Sequence, residues 1–343
     1  MTQPVDLRSD TVTRPTSAMR EAMARAEVDD DTLGHDPTAA RLEEAVAAIL
    51  GKEAGLFFPT GTMANEAALA LLAPPGTEVM VETTSHFFDW EMGGPAVLSG
   101  VQLRPVTAPG GLLDADIVEA AIRPPSTLQI QTGLICVENT HNAAGGRILP
   151  LDSMKAIRAL AAEHGIPVHL DGARLWNAAA ATGTSEADWA AFADTVMVTL
   201  SKGLGCPAGS ILAADRNLIR SARGVRRRFG GSMRQIGILA AAGLHALEHH
   251  RGRLDQDHSL ARRLADLASR VPGLRVIPPE TNIVMLEIVR PDLDAQETVR
   301  RLAALGVLTS VFARRKVRAV THLDVDEADI DFAGQSLFDV LST

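Results

Sequence analysis

Two ionisable side chains of opposite charge each follow a run of mostly apolar, β-forming residues and each precede a glycine. Lys202 follows "VMVTLS", and Asp171, which lies 31 residues earlier, ends "IPVHLD". Because α/β sheets bind ligands beyond the carboxyl ends of their strands, both side chains are expected at one ligand site. A lysine amine can hold an aldehyde carbon as an imine, and an aspartate can keep a pyridine nitrogen protonated, so the pair predicts pyridoxal 5′-phosphate. The structural alternatives are a buried ion pair and a lysine that reaches the surface.

The segment "PTGTMANEAALALL" supplies a candidate phosphate site. Gly61 and Thr62 fall at the first turn of a predicted helix, where free backbone N–H groups and the helix dipole attract anions. Alone, this pattern is more often an ordinary N-terminal cap. His86, in "VETTSHFFDWEMGG", is placed where an imidazole could stack on a pyridine ring, and a packed, hydrogen-bonded histidine is the alternative.

Composition and charge restrict the classes of partner. The chain has 343 residues and a formal net charge of −9, which argues against nucleic acid, because binding its phosphates requires a basic face. The short basic run "RGVRRRFGG" therefore predicts an anion contact or a subunit contact. The two cysteines lack metal-ligand spacing, and no apolar run is long enough to span a membrane. We expect a cytoplasmic protein with no metal site, no membrane contact and no nucleic-acid partner.

Short apolar strands alternate with helical stretches through most of the chain, from "AGLFF" to "GSILAA". This alternation predicts an α/β fold with a parallel or mixed sheet covered on both faces. The C-terminal part changes to a long helix, predicted over Ser259 to Arg270, then a few strands and two more helices. We therefore predict an N-terminal arm over residues 1–20, a large domain over 21–245 and a smaller α+β domain over 246–343.

Seven segments, taken together, identify a family. They are "DLRSDTVTRPT", "PTGTMAN", "ENTHNAAGGR", "HLDGARLWNA", "SKGLGCPAGS", "GGSMRQ" and "VTHLDV". In this order, from residue 6 to about residue 325, they resemble the L-threonine aldolases, including the low-specificity, L-allo-threonine and phenylserine types. The resemblance implies the aspartate-aminotransferase-like fold, which is fold type I of the pyridoxal-phosphate enzymes. That fold has a mostly parallel seven-stranded sheet and a smaller C-terminal α+β domain, and it usually works as a homodimer or homotetramer.

The resemblance also implies a role for individual residues. Lys202 would form the Schiff base, Asp171 would bind the pyridine nitrogen and His86 would stack on the ring. The remaining roles are phosphate and cofactor binding by Gly61, Thr62, Ser201 and Arg174, substrate-carboxylate binding by Ser9, Arg174 and Arg318, and a contact with the cofactor phosphate or a neighbouring subunit by Arg227 and Arg234. For the last two, structural or surface arginines are the alternative.

The chain departs from the family at three positions near the expected substrate pocket. In "DDDTLGHDPTA", Leu33 replaces the usual tyrosine and His35 replaces an acid, and Leu128 stands where the family often has a histidine. Apolar surface in place of hydrogen-bonding groups changes substrate discrimination, so we expect a preference for bulky β-substituents such as the phenyl of phenylserine. The general base stays open among His86, a bound water and His35.

The reaction implied is cleavage of an L-β-hydroxy-α-amino acid, a small-molecule substrate, to glycine and an aldehyde. A base removes the β-hydroxyl proton, and the Cα–Cβ bond then breaks. Cofactor residues do not choose which bond breaks, so β-elimination, racemisation and transfer to another aldehyde are alternatives on the same scaffold. A non-catalytic cofactor-binding protein is a third hypothesis, which the presence of Lys202, Asp171, His86 and both carboxylate-binding arginines disfavours.

Overall fold

Strands and helices alternate along residues 4–342, the part of the chain that this computed structural model describes. Residues 1–3 of the predicted arm and residue 343 of the predicted small domain lie outside the described residues. The strands are β1 (Val5–Asp6), β2 (Ala54–Phe58), β3 (Glu78–Glu82), β4 (Gln102–Val106), β5 (Thr132–Glu138), β6 (Val168–Gly172), β7 (Thr195–Thr199), β8 (Ser210–Ala214), β9 (Leu274–Ile277), β10 (Ile283–Ile288), β11 (Val307–Leu308), β12 (Ser310–Ala313) and β13 (Lys316–Val320). The α-helices are α1 (Ser17–Ala24), α2 (Pro37–Ile49), α3 (Gly61–Leu72), α4 (His86–Asp89), α5 (Gly94–Ser99), α6 (Ala115–Ala121), α7 (Leu151–Glu163), α8 (Leu175–Thr182), α9 (Glu186–Ala190), α10 (Arg216–Arg228), α11 (Gly237–His249), α12 (Leu254–Ala268), α13 (Ala295–Ala304) and α14 (Glu327–Ser342).

A seven-stranded sheet positions the candidate site. Its strand order is β2-β8-β7-β6-β5-β3-β4, and only β8 runs antiparallel to its neighbours. β3, β6, β7 and β8 are buried at every residue, as expected for strands covered by helices on both faces. Asp171 on β6 pairs in register with Glu138 on β5 and with Met197 on β7. The carboxyl ends of these three strands therefore meet at one edge.

Helix α2 shows how the sequence determines the elements around this sheet. The Asp36 carboxylate accepts hydrogen bonds from the backbone N–H groups of Thr38 and Ala39, and Pro37 occupies the first helical turn. The helix buries Leu42 and Val46, four residues apart, on one face. These features explain why a helix forms here and which of its faces packs against the core.

A second, four-stranded antiparallel sheet has the order β12-β13-β10-β9 and forms the centre of the C-terminal part. The N-terminal arm is attached to this part, because β1 pairs in parallel with β11 and Leu7 is buried in its hydrophobic core. The predicted boundary at residues 245/246 falls within α11, which continues to His249. We propose that the division between the two parts lies between α11 and α12.

The mostly parallel seven-stranded sheet with a smaller α+β part confirms the predicted fold class. One local prediction is wrong. The long C-terminal helix begins at Leu254 and ends at Ala268, not at Ser259 and Arg270. Lys202 lies on a loop beyond β7, because that strand ends at Thr199 and the chain then turns, with Gly205 donating its N–H to the Lys202 carbonyl at 2.9 Å. Within residues 4–342, no helix combines the length and the apolar character that crossing a membrane requires.

Candidate active site

A cavity of about 230 Å³ lies at the edge where the central strands end. Six residues predicted from the sequence line it together: Gly61, Thr62, His86, Asp171, Ser201 and Lys202. They come from four separate segments of the chain, at the start of α3, the start of α4, the end of β6 and the loop after β7. The fold therefore brings the predicted cofactor residues to one place.

Lys202 is the cation of this cavity. Its loop is fixed to the N-terminal arm by a hydrogen bond of 2.9 Å from the Thr13 hydroxyl to the Lys202 carbonyl. Within the described residues, its ammonium group forms no hydrogen bond or ion pair. Burial, and then the positive charge of Arg174, lowers the pKa of Lys202 to about 8, although the Asp10 and Asp171 carboxylates act in the opposite direction. A lysine with this pKa is neutral, and so nucleophilic, in a larger fraction of molecules near pH 7 than an ordinary lysine.

Asp171 is buried at the end of β6, with its carboxylate fixed by two hydrogen-bond donors. Its Oδ2 accepts from the Asn65 side-chain amide at 2.9 Å, and its Oδ1 accepts from the backbone N–H of Ala173 at 3.0 Å. Donors of this kind stabilise the charged form of a carboxyl group. The arrangement provides an oriented anion on the wall of the cavity.

His86 is the first residue of α4 and is held at both its backbone and its ring. The Glu138 carboxylate accepts from its backbone N–H at 2.9 Å, and its Nδ1 lies 2.7 Å from Glu91 Oε1. Burial favours the neutral ring, but the hydrogen bond to Glu91 and the charges of Asp171 and Glu91 prevail and raise the pKa of His86 above its ordinary value.

We expect the substitution Glu91→Gln to lower the pKa of His86. The amide oxygen can still accept from Nδ1, but the negative charge that stabilises the imidazolium is lost. Titration of the histidine ring signals by NMR measures this change. Glu82→Gln is the matched control, because Glu82 lies 3.1 Å from the buried His141 and raises the pKa of that ring. This substitution should therefore lower the pKa of His141 and leave that of His86 unchanged. An unchanged pKa of His86 in Glu91→Gln would contradict the assigned pairing.

The start of α3 forms the candidate phosphate site. Thr60 caps the helix by accepting a hydrogen bond from the Met63 N–H at 3.1 Å, and the earlier N–H groups of Gly61 and Thr62 begin the helix at the cavity wall. A Cβ atom at Gly61 would lie only 3.1 Å from Thr199 Oγ1, so a larger residue here would have to displace that side chain slightly. The site therefore combines backbone donors with the hydroxyl of Ser201.

The two predicted carboxylate-binding arginines meet through Asn142, whose side-chain oxygen lies 3.3 Å from Arg174 Nη1 and 2.8 Å from Arg318 Nη1. Arg174 is otherwise engaged by Asp10, which is fully buried and accepts from its Nε at 2.8 Å and its Nη2 at 2.7 Å. Arg318 is less occupied, since its Nε is buried without a hydrogen-bond partner. Of the two arginines, Arg318 is therefore the one with an unused hydrogen-bond donor, its Nε–H.

Ser9 lies in the N-terminal arm next to Asp10. Its hydroxyl accepts from the Thr11 N–H at 3.2 Å and from the Thr11 hydroxyl at 2.9 Å. Thr11 itself lines the cavity, whereas Ser9 does not. The N-terminal arm therefore contributes Thr11 to the wall of the cavity, and the predicted Ser9 contacts Thr11.

Ser9, Arg174 and Arg318 do not line the cavity of a single chain, and five further predicted residues on the surface also lie outside it: Leu33, His35, Leu128, Arg227 and Arg234. All five are exposed, Leu33 at 68% and Leu128 at 91% of their surfaces. Arg234 donates to Asp30 at 3.1 Å and to the Thr32 hydroxyl at 2.7 Å, which fixes the loop that carries Leu33. Arg234 thus contacts the loop that carries Leu33, and both residues lie outside the cavity that contains Lys202.

Four functional residues were not predicted: Asp10, Asn65, Glu91 and Asn142. Asp10 and Asn142 belong to "DLRSDTVTRPT" and "ENTHNAAGGR". The sequence shows that these segments are polar, but it does not show that both residues contact Arg174. Asn65 follows Gly61 by one helical turn, which places it on the same face as the phosphate site. No sequence pattern predicts a role for Glu91, apart from its position five residues after His86.

Comparisons with known proteins identify the family of the chain. A sequence model of the family described as beta-eliminating lyase matches residues 6–291. The chain is 42% identical to low-specificity L-threonine aldolase 1 of Arabidopsis thaliana, with 96% of this chain and 94% of the relative covered. It is 40% identical to the low specificity L-threonine aldolase of Escherichia coli strain K12, with 95% and 96% covered. An alanine racemase of Cochliobolus carbonum is 34% identical, with 98% and 86% covered.

Solved structures show the same fold at lower identity. A threonine aldolase of Leishmania major matches with a TM-score of 0.85 at 19% identity, with 98% of this chain and 100% of that chain covered. Aspartate aminotransferase from Thermus thermophilus matches with a TM-score of 0.74 at 17% identity, with 99% and 92% covered. The aspartate-aminotransferase-like fold and the family resemblance predicted from the seven segments are confirmed. The chain therefore belongs to the beta-eliminating lyase family and is related along nearly its whole length to the low-specificity L-threonine aldolases.

Proposed function

We propose that this protein cleaves L-β-hydroxy-α-amino acids of the threonine, allo-threonine and phenylserine type to glycine and an aldehyde, using pyridoxal 5′-phosphate. The observation that carries the proposal is the position of Lys202, which is half-buried, lines the same cavity as Asp171 and has no side-chain partner of its own among the described residues. The relatives named low-specificity L-threonine aldolases support the same reaction. The protein is accordingly a carbon–carbon lyase.

The donors of the cavity suit this cofactor. Backbone N–H groups at the start of α3 and the Ser201 hydroxyl would hold the phosphate, where a Cβ at Gly61 would crowd the wall. Asp171 would hold the ring nitrogen, His86 would stack on the ring and Lys202 would bind the aldehyde carbon. When bound, pyridoxal phosphate supplies an electron sink for the pair released as the Cα–Cβ bond breaks.

Arg318 is the proposed anchor for the substrate carboxylate. Its Nε is buried without a partner, and a guanidinium group can grip a carboxylate with two parallel hydrogen bonds. Arg174 would support it from the other side of Asn142, with two of its nitrogens committed to Asp10. Holding the carboxylate in this way fixes the orientation of Cα and so selects which of its bonds can break. Ser9 would assist from the arm.

His86 is the proposed base for the β-hydroxyl proton. The Glu91 carboxylate can only accept a hydrogen bond, so in the neutral ring the proton lies on Nδ1 and Nε2 is free to accept a second one. The raised pKa of His86 strengthens it as a base. A water in the cavity is the alternative, and His35, the other histidine considered, is exposed and lies outside the cavity of its own chain.

The test is aldehyde release from L-threonine, L-allo-threonine and L-phenylserine by the cofactor-loaded protein, with glycine measured as the second product. We expect equal amounts of aldehyde and glycine. We also expect kcat/KM for phenylserine to exceed that for threonine by roughly 10-fold or more, as apolar pocket surface typically discriminates. A ratio that clearly favours threonine would contradict the proposed role of Leu33 and Leu128.

The proposed roles of Leu33 and Leu128 require a second copy of the chain. Both side chains are largely exposed and lie outside the cavity of their own chain, as do Arg227 and Arg234. We therefore propose a homodimer or homotetramer in which this face completes the site of a neighbouring subunit. We place the enzyme in the cytoplasm, in the amino-acid metabolism of glycine.

A second candidate function is racemisation, which the alanine racemase of Cochliobolus carbonum favours. Racemisation breaks the Cα–H bond and returns the proton to the opposite face, so it needs no β-hydroxyl group. Chiral chromatography of L-alanine incubated with the loaded protein distinguishes the two reactions. D-alanine formed at a rate similar to aldehyde release would establish racemisation as a main activity.

A further inference from the structure

A buried chain of hydrogen bonds leads to Asp171 from His169, which lies two residues earlier on the same face of β6. His169 Nδ1 lies 2.7 Å from the Thr195 hydroxyl, and its Nε2 lies 3.1 Å from the Asn65 side-chain oxygen. The Asn65 amide nitrogen lies 2.9 Å from Asp171 Oδ2 and 3.3 Å from Glu91 Oε1. His169 and Asn65 have no exposed surface, so water does not compete for these bonds.

The partners determine the direction of each bond. Carboxylates accept only, so the Asn65 amide nitrogen must donate to Asp171 and Glu91, and its oxygen must accept from His169. Burial lowers the pKa of His169 to about 4, which leaves a neutral ring with one N–H. That N–H must lie on Nε2, and Nδ1 then accepts from the Thr195 hydroxyl. The hydrogen bonds from Thr195 through His169 and Asn65 therefore run in one direction toward Asp171, and the second Asn65 N–H goes to Glu91.

Asn65 also connects the two residues proposed to contact the cofactor ring. One amide hydrogen reaches Asp171, and the other reaches Glu91, whose same oxygen holds Nδ1 of His86. Two donors now face the Asp171 carboxylate, from Asn65 and from the Ala173 backbone, and together they fix its orientation. An oriented carboxylate is the group that could hold a ring nitrogen in place.

We propose that Asn65 and His169 are positioning residues for the cofactor: Asn65 holds the Asp171 carboxylate oriented and couples it to the Glu91–His86 pair, and His169 fixes the direction of the Asn65 amide. This inference rests on the proposed function only in assigning the ring nitrogen to Asp171. It gives a role to a buried asparagine and a buried histidine that contact no reacting atom.

The test is Asn65→Asp, which keeps the shape of the side chain and its acceptor for His169 but replaces the donating nitrogen by an oxygen. Asn177→Asp is the matched control, because Asn177 is a buried asparagine that accepts from the buried His258 at 3.0 Å and lies outside the cavity lining. The measurements are the dissociation constant of pyridoxal phosphate from the apoprotein, the visible absorption of the bound cofactor, kcat with phenylserine, and the thermal unfolding of both variants.

We expect Asn65→Asp to weaken cofactor binding and to lower kcat, each by roughly 10- to 100-fold, as for residues that orient a ligand-binding group elsewhere. Its absorption spectrum should change, and Asn177→Asp should stay within about 2-fold of the natural protein. His169→Gln, which keeps an N–H donor, should lose less cofactor affinity than His169→Leu.

Unchanged cofactor affinity and spectrum in Asn65→Asp would overturn the inference, and so would equal losses in Asn65→Asp and Asn177→Asp. Cofactor affinity and absorption are measured without substrate, so they report on the inference by themselves. If the natural protein binds the cofactor but releases no aldehyde, the proposed substrate class fails while this comparison still decides the role of Asn65.

Discussion

Replacing Lys202 by alanine is expected to lower kcat for aldehyde release by at least roughly 10⁴-fold, as loss of the central nucleophile does in other covalent mechanisms. The substitution removes the only amine that lines the cavity within residues 4–342. It also removes a half-buried cation, and Asp10 and Asp171 then lose a favourable charge. The cofactor should still bind through the start of α3, Ser201 and Asp171, but without a covalent attachment.

Lys52→Ala is the matched control for this prediction. Lys52 is a second lysine whose pKa is lowered by burial, and it donates to the Ala193 carbonyl at 2.6 Å, outside the lining of the cavity. Borohydride reduction followed by mass spectrometry should fix the cofactor covalently to the natural protein and to Lys52→Ala, but not to Lys202→Ala. Aldehyde release by Lys202→Ala at more than about a tenth of the natural rate would show that another group carries the chemistry.

Much of the fold and of the cofactor site could be predicted, because both depend on local patterns. Continuous apolar runs between helices indicate buried parallel strands. The residue after such a run lies at the edge of the sheet where ligands bind, and this placement needs no knowledge of distant contacts. Asp171 and Lys202 are predicted in this way and Gly61 is predicted from the turn before a helix, and all three line the cavity. Lys202 lies three residues beyond the end of β7, because the strand ends at Thr199 although the apolar run continues through Leu200.

The residues that orient the site could not be predicted, because their partners are distant in the sequence. Asp10 pairs with Arg174 over 164 positions, and the Asn65 amide reaches Asp171 over 106 positions. An aspartate in a polar N-terminal segment looks like a solvated charge until folding encloses it. The exposed Leu33 and Leu128 show the opposite case, in which apolar residues expected at a pocket lie on the surface of the single chain.

Asp171→Asn is expected to lower kcat by roughly 10³-fold, which corresponds to about 4 kcal/mol of transition-state stabilisation. The amide has nearly the shape of the carboxylate, and its oxygen can still accept from Asn65 or from the Ala173 N–H. What it lacks is the charge that keeps a ring nitrogen protonated, and without that proton the ring accepts electrons poorly. The measurements are kcat with phenylserine and the dissociation constant of pyridoxal phosphate.

Asp257→Asn separates this effect from the loss of any buried carboxylate. Asp257 is fully buried on α12, is held by Arg253 at 2.7 Å and lies outside the cavity lining, and burial raises its pKa to about 6. Its replacement should alter the free energy of unfolding and leave kcat within about 2-fold of the natural value, since it reaches no reacting group. A kcat for Asp171→Asn within about 10-fold of the natural value would mean that the reaction does not depend on a protonated ring nitrogen, and the role assigned to Asp171 would then be wrong.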